Sequence, residues 1–461
     1  MQTKATPETE EKTTQCKYSM VSGNPAKAII TFATPMILGN IFQQLYNTAD
    51  AVIVGQFIGE DALASVGVAN PIMSIVIFFI FGICVGMSVL MAQLYGAADY
   101  KGFKEEASTS LIAGLVFTVA LSVLCWFLSK PILVLTKTPP EILGDADRYL
   151  KIIFVGLIFS FLYNYYSAAL RAMGDSKTPF LFLLLSSVLN VVLDIFFIQS
   201  LHTGVEGAAI ATVISQAVSS ILCILYVYRK IPLLALKRRE FIFQKSILVK
   251  TINYSWISAV QQTFLYVGRL LVQGAVNPFG TSVIAAYNAA TRVEGFVLAP
   301  FDSMSASIST YCAQNMGAGL KHRIKSGYKI GTVINIIYSL VACAVLFLFA
   351  PQIMQLFVNA NEASSVIKVG SEYLQMMAFF YILAGMTYIM QGFFRGVGRL
   401  KITMVTTGSQ ILIRVILSYL LVPKLGVSGV CYATLIGWIF MVLFEGTCAK
   451  QYFKQMDAAQ V

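Results

Sequence analysis

Residues 167–179 read SAALRAMGDSKTP and residues 391–403 read QGFFRGVGRLKIT, so Arg171, Gly174 and Lys177 in the first half meet Arg395, Gly398 and Lys401 at the same spacing in the second. Two further pairs recur at nearly the same distance. QLYGA from Gln93 to Ala97 recurs as QNMGA from Gln314 to Ala318, and GVEGAAIAT from Gly204 recurs as GVSGVCYAT from Gly426. The chain is an internal duplication. Duplicated apolar halves are the mark of secondary transporters, which place a binding site between two related bundles.

The 461 residues are 57% hydrophobic and 12% charged, with a mean hydropathy of +0.74. A soluble domain carries roughly 25% charged residues, so this is a polytopic membrane protein. Spanning a hydrocarbon core takes about 20 apolar residues. Runs of that length are predicted near 28–54, 65–95, 107–128, 148–169, 178–199 and 206–228, then near 247–273, 281–312, 326–349, 366–393, 402–422 and 426–449. The expected fold is all-α, with about twelve transmembrane helices in two repeated six-helix lobes. Its expected parts are a polar N-terminal tail (1–24), a first lobe (25–230), a linker loop (231–246), a second lobe (247–450) and a C-terminal tail (451–461).

The net charge of +11 is a topology signal here and not a nucleic-acid footprint. Most Lys and Arg fall in the segments that would be cytoplasmic if the N-terminus is inside, including the run KRRE after Leu236. The positive-inside rule then puts both termini in the cytoplasm of a multi-pass plasma-membrane protein, as expected for a bacterial inner membrane. No apolar h-region precedes the first span, so no cleavable signal peptide is expected. Eight cysteines without paired spacing and two histidines support neither a disulfide framework nor a zinc site. No G-x-x-x-x-G-K-[ST], H-E-x-x-H or G-x-S-x-G occurs, which leaves ATP hydrolysis and common hydrolase chemistry without a foothold. The expectation is a transporter driven by an ion gradient, without catalytic residues or a cofactor.

Carboxylates inside the bilayer are costly and usually move ions or pair with a neighbour. Asp50 and Asp194 lie in apolar stretches of the first half, while their closest repeat positions hold Gly268 and Ser418. In SSVLNVVLDIFFI, Asn190 and Asp194 stand four apart, on one helical face. With Thr212 from the adjacent span, Asp50, Asn190 and Asp194 would surround one Na+ or share one proton. The alternative is that each Asp caps or bonds a neighbouring helix. Pro35 sits mid-span, where its ring removes a backbone hydrogen bond and kinks the helix, as a hinge or a static bend. In the second half Gln262, Arg269, Glu294, Asp302 and Arg414 are the polar candidates for a substrate cavity. Arg292 and Glu294, two apart, point to different faces, and Arg269 and Arg414 are expected to pair with the acids across helices. Tyr163, Tyr165 and Tyr166, and Met376, Met377, Met386 and Met390, would suit a flat organic cation or simply pack.

From about Ala26 to Gly446 the chain resembles the multidrug and toxic compound extrusion (MATE) transporters. The resemblance rests on PMILGNIFQQLYNTADAVIVGQFIG (35–59), ALRAMGDSKTP, LNVVLDIFFI with GVEGAAIATVIS, and QNMGAG with FFRGVGR. It implies two six-helix lobes around a V-shaped cavity, and cation-coupled export. Asp50, Asn190, Asp194 and Thr212 match the first-lobe cation site of the branch resembling DinF, and Pro35 matches its bending proline. Branches with a second-lobe site carry acids near the positions held here by Gln262 and Ala384, so the resemblance implies that this site is absent. The implied function is antiport of cationic or amphipathic organic compounds against H+ or Na+, by a monomer in the lipid bilayer with no nucleic-acid partner. The competing readings are a lipid-linked saccharide flippase, which calls for a strongly basic cavity, and a membrane scaffold or receptor without transport activity.

Overall fold

A backbone crossing lipid has no water to bond, so its polar groups must be satisfied within the segment, and the helix does this. The computed structural model describes residues 19–57, 60–201, 203–357 and 364–458, with backbone alone for 46–57 and residue 60. Twelve long helices and no strand occur among the described residues. In the first half they are α1 (Pro25–Phe57), α2 (Glu60–Gly96), α3 (Tyr100–Leu135), α4 (Pro140–Ala172), α5 (Lys177–Ile195) and α6 (Gly204–Lys230). In the second half they are α7 (Lys245–Val276), α8 (Thr281–Gly317), α9 (Lys321–Gln355), α10 (Ser364–Gly396), α11 (Leu400–Leu425) and α12 (Ser428–Ala458).

Ten of these are long and apolar enough to cross a membrane; α7 and α8 fall short. The cause lies in their side chains. Gln261, Gln262 and Arg269 interrupt α7, and Arg292, Glu294 and Asp302 interrupt α8. Several helices also outrun the apolar stretch that predicts them. The apolar run 107–128 becomes α3 of 36 residues, or ~54 Å at 1.5 Å per residue, because Asp99 caps a polar first turn by accepting from Gly102 N at 2.9 Å.

The chain divides into two units. Among described residues the first holds Ile41–Ala259, and the second holds Met20–Asn40 and Val260 onward. Two helices are therefore split: the first part of α1 belongs to the second unit, and the first part of α7 to the first. In the first unit, Gly82 and Gly86 of GICVG explain the α7 assignment. A Cβ on Gly86 would land on the backbone of Ser255, and one on Gly82 on that of Ser258 and Ala259. Small residues four apart let helix backbones approach closely in a membrane. In the second unit, Ser303 and Ser307 occupy the repeat-equivalent positions on α8. There Asn40 Nδ2 donates to Ser303 Oγ at 3.1 Å, and Ser307 Oγ donates to Ile29 O at 2.9 Å. Ile29, Phe32 and Ala33 complete a buried cluster with Met304, Ile308, Phe393 and Phe394.

The repeated sequence motifs are helix ends. Gly174 and Gly398 take φ of 98° and 78°, and Gly204 and Gly426 take 61° and 59°. These are left-handed values that a side chain resists. At the first pair Asp175 N reaches Leu170 O at 2.9 Å, and Arg399 N reaches Phe394 O at 2.8 Å, the same helix-closing bond in each half.

The connector between α6 and α7 is docked on α3 within the first unit. Ile242 N donates to Ser108 Oγ at 2.9 Å, Gln244 N to Thr109 Oγ1 at 3.2 Å, and Lys104 pairs with Glu240 at 2.7 Å. Lys104 is the main cause holding the Glu240 carboxyl below its ordinary range, helped by the Lys237 backbone N–H.

Replacing Gly86 with Val should destabilise the protein by about 3 kcal/mol or more, beyond ordinary overpacking because the clash is with backbone; thermal unfolding of the purified protein reads this as a lower midpoint. The Glu240 contribution is present above the unfolded glutamate value of about 4.3 and is lost as pH falls through the lower folded value. Limited proteolysis of the connector should therefore show an acid-side step that Glu240→Gln removes. At neutral pH that substitution should cost at most about 1 kcal/mol.

Candidate functional site

On α5 the usual pattern is inverted. Leu181, Leu185, Val188 and Val192 are exposed, while the residues buried beyond its first turn are Asn190 and Asp194. Asp194 is wholly buried and Asn190 nearly so. Neither atom of the Asn190 amide has a hydrogen-bond partner among the described residues. Buried polar atoms almost always find partners, so this amide, without one among the described residues, is a candidate ligand. Directly after Asp194 the helix loosens into a π turn, Phe196–Ser200, a distortion common at functional sites.

The neighbouring helix α6 packs against α5 and offers hydroxyls. Thr212 Oγ1 donates to Ala208 O at 3.0 Å, which leaves its oxygen lone pairs available. Ser215, one turn on and buried, has no partner among the described residues. Sequence alone does not single out Ser215, since one serine among many on α6 carries no signal. The backbone of α1 passes through Asp50, but that side chain lies outside the described residues. Pro35 lies within α1, shortly before the helix passes between units at Asn40.

In the second unit Glu294 is buried and Arg292 exposed, on different faces of α8. Glu294 accepts from Tyr381 OH at 3.1 Å. Arg414 and Arg269 act on it electrostatically, but neither reaches ion-pair distance among the described residues. At Glu294 the described partner is thus a tyrosine hydroxyl and not one of the expected arginines. Arg269 and Asp302 are exposed, and Arg414 and Gln262 are half-buried.

Two buried acids are not apparent from sequence. In the first unit, Glu106 Oε2 accepts from Thr251 Oγ1 at 2.6 Å, and Oε1 has no partner among the described residues. This bond ties α3 to the first part of α7. In the second unit Glu445 is wholly buried within a ring of amides and hydroxyls. Thr406 Oγ1 donates to its Oε1 at 2.6 Å and Gln391 Nε2 at 3.3 Å. Gln391 Nε2 also reaches Thr407 Oγ1 at 2.8 Å, Gln261 Nε2 donates to Gln391 Oε1 at 2.6 Å, and Thr403 Oγ1 reaches Gln261 Oε1 at 3.3 Å. The signal in the sequence is a lone Glu in the apolar run GWIFMVLFEGTC. Among the described residues no group of three or more His, Cys, Asp or Glu gathers as a metal site.

The MatE family profile matches residues 35–196 and 258–420, once in each half. The chain belongs to the MATE family. "Probable multidrug resistance protein YoeA" of Bacillus subtilis is 30% identical over 379 residues, covering 81% of each chain. YpnP of the same organism, also a "Probable multidrug resistance protein", is 28% identical over 83% of this chain and 84% of its own. Among solved structures, a MOP superfamily transporter from Pyrococcus furiosus matches with a TM-score of 0.89 at 24% identity, over 95% of this chain and 98% of that one. An outward-facing multidrug resistance MATE transporter matches at 0.88 and 25% identity, over 95% and 97%. The two-lobe MATE fold and the membership in a transporter family, not an enzyme family, agree with the duplicated all-helical architecture.

Thr251→Val removes the donor to Glu106 Oε2 and leaves a buried carboxyl without a described partner, a loss of about 1–3 kcal/mol. Thermal unfolding in detergent should show it, and Glu106→Gln, which can still accept from Thr251, should lose less than half as much.

Proposed function

We propose that this chain is a secondary active multidrug efflux transporter that exports cationic or amphipathic organic compounds in exchange for H+ or Na+, as a monomer in a bacterial inner membrane with both termini cytoplasmic. The reading is supported above all by α5, whose apolar residues face outward while Asn190 and Asp194 are buried, in a family that includes multidrug resistance proteins. The proposed ion site is Asp50, Asn190, Asp194 and Thr212. Carboxylate, amide and hydroxyl oxygens are hard donors that suit Na+, and the same carboxylates can instead hold a proton. Ion entry changes the local charge, and that change biases an alternating-access equilibrium only to the extent that the two states bind the ion differently. Pro35 is proposed to let α1 bend, since the proline leaves one carbonyl of the preceding turn without its helical donor.

The saccharide-flippase reading calls for convergent basic side chains. In the second unit Arg269 is exposed and Arg414 acts on an acid, Glu294, so that reading stands second. A scaffold would not need an amide and a carboxylate buried four residues apart on one face of α5.

The test is flux of a fluorescent organic cation in proteoliposomes with a proton or a sodium gradient imposed separately. Asp194→Asn, nearly isosteric, should keep the protein folded and lower gradient-driven efflux at least tenfold, which takes a loss of only ~1.4 kcal/mol. Wild-type efflux by this variant would remove the ion-site assignment, and no flux of the unsubstituted protein under either gradient would sink drug export.

A further inference from the structure

Glu445 stands outside the proposed ion site, and its hydrogen bonds gather on one oxygen, as those of Glu106 do, but within a larger ring of amides and hydroxyls. Both donors that reach it, Thr406 Oγ1 at 2.6 Å and Gln391 Nε2 at 3.3 Å, converge on Oε1. Oε2 is buried and accepts nothing among the described residues. An ionised carboxylate would spread donors over both oxygens, and a buried charge without a partner is strongly disfavoured. A neutral carboxyl fits the pattern, because the Thr406 hydroxyl also lies 2.9 Å from Ile402 O and, when it donates there, can accept from a protonated Glu445.

No described counter-charge pairs with Glu445. The helices packed against α12 include α10 and α11, and α9 reaches it through Tyr328 with Phe453 and through Lys325 with Asp457. Their charged groups, Arg395, Lys401 and Arg414 among them, make no ion pair with Glu445 among the described residues. The titratable groups in electrostatic reach are Tyr328 of α9 and Cys448, one turn on along α12.

Nor does the fold require an acid here. The repeat GVEGAAIAT and GVSGVCYAT sets Cys223 against Glu445, and SAALRAMGDSKTP and QGFFRGVGRLKIT set Ser167 against Gln391 and Pro179 against Thr403. The first half builds the same helices with a thiol at this position. The ring also reaches α7 through Gln261, two residues beyond Ala259, where that helix passes from one unit to the other.

We propose that Glu445 is a proton-binding site of the second unit, its carboxyl taking a proton from water and returning it to water in another state of the transport cycle. The proposal deepens the antiport reading and rests on it for the role of the proton, but the site itself is measurable without any substrate. Its ligand is the proton, and Na+ is the competing occupant that the test separates.

Infrared spectra of the full-length protein in lipid should show a protonated-carboxyl C=O band at neutral pH that Glu445→Gln deletes. In the unsubstituted protein this band should disappear reversibly as pH rises, and Na+ at constant pH should leave it unchanged. Thr406→Val removes one hydrogen-bond partner from Oε1 and should move the same band to higher frequency, which provides the assignment if Glu445→Gln does not fold. The proposal is overturned if neither variant alters a protonated-carboxyl band, if the band fails to titrate while the protein remains folded, or if Na+ displaces it. Absence of drug flux from the unsubstituted protein would defeat the antiport reading, whereas the infrared band would still decide whether Glu445 binds a proton.

Discussion

The close approach of α7 to α2 at Gly82 and Gly86 is the contact on which the division of the molecule depends. Hydrophobic burial cannot hold helices together in lipid, where the tails are as apolar as leucine; packing and hydrogen bonds must do it. With no Cβ at these two positions, the backbone of Ser255 to Ala259 lies directly against α2. The first part of α7 is thereby fixed to the first unit, while its remainder belongs to the second. In the second unit Ser303 and Ser307 do the equivalent for α1 with hydroxyls, so hydrogen bonds to Asn40 and Ile29 O replace bare backbone contact. The same spacing returns within that unit, where Gly392 and Gly396 leave room for the backbone of Ser305 and Ser309.

This arrangement explains which parts of the fold are legible in sequence. Helix number follows from runs of apolar residues, and the motifs that reveal the duplication are legible because they end helices. Gly174, Gly398, Gly204 and Gly426 hold left-handed backbone that few other residues tolerate, so the turn chemistry is retained in both halves while the spans between drift. Helix ends are less legible, because α3 continues through the polar turn YKGFKEE under its Asp99 cap, where hydropathy alone predicts a stop. The splitting of α1 and α7 between units is not written in periodicity at all. It follows from tertiary contacts between small residues, and GICVG resembles many other glycine-bearing stretches until its partner is known.

The polar residues divide along similar lines. Asn190 and Asp194 stand out because their spacing places two polar groups on one face of an otherwise apolar helix, and both are buried. Glu294 is visible in sequence as an intramembrane acid, but its partner is not: a tyrosine from α10, far away in the chain, reaches it in place of the expected arginine. Glu106 and Glu445 are harder to see because one lies beside charged residues at the start of α3 and the other precedes a lysine-bearing helix end. Sequence proximity to charge makes such residues read as surface. Burial and the hydroxyl of a single threonine, at 2.6 Å in each case, show otherwise.

The buried acids also show how the two halves have diverged. Duplication supplies two copies of each helix, and Arg171 and Lys177 recur as Arg395 and Lys401, yet the buried acids are not repeated: Ser418 stands opposite Asp194 and Cys223 opposite Glu445. A carboxyl buried among helices has a cost that depends on its protonation state and on the donors around it. Placing such groups asymmetrically means that gaining or losing a positive charge affects one half more than the other. In a symmetric pair of bundles the same event would stabilise both alike and would leave their relative energies unchanged. A ligand shifts an equilibrium only through its differential affinity for the states, and unequal halves are a direct way to make that difference from a duplicated chain.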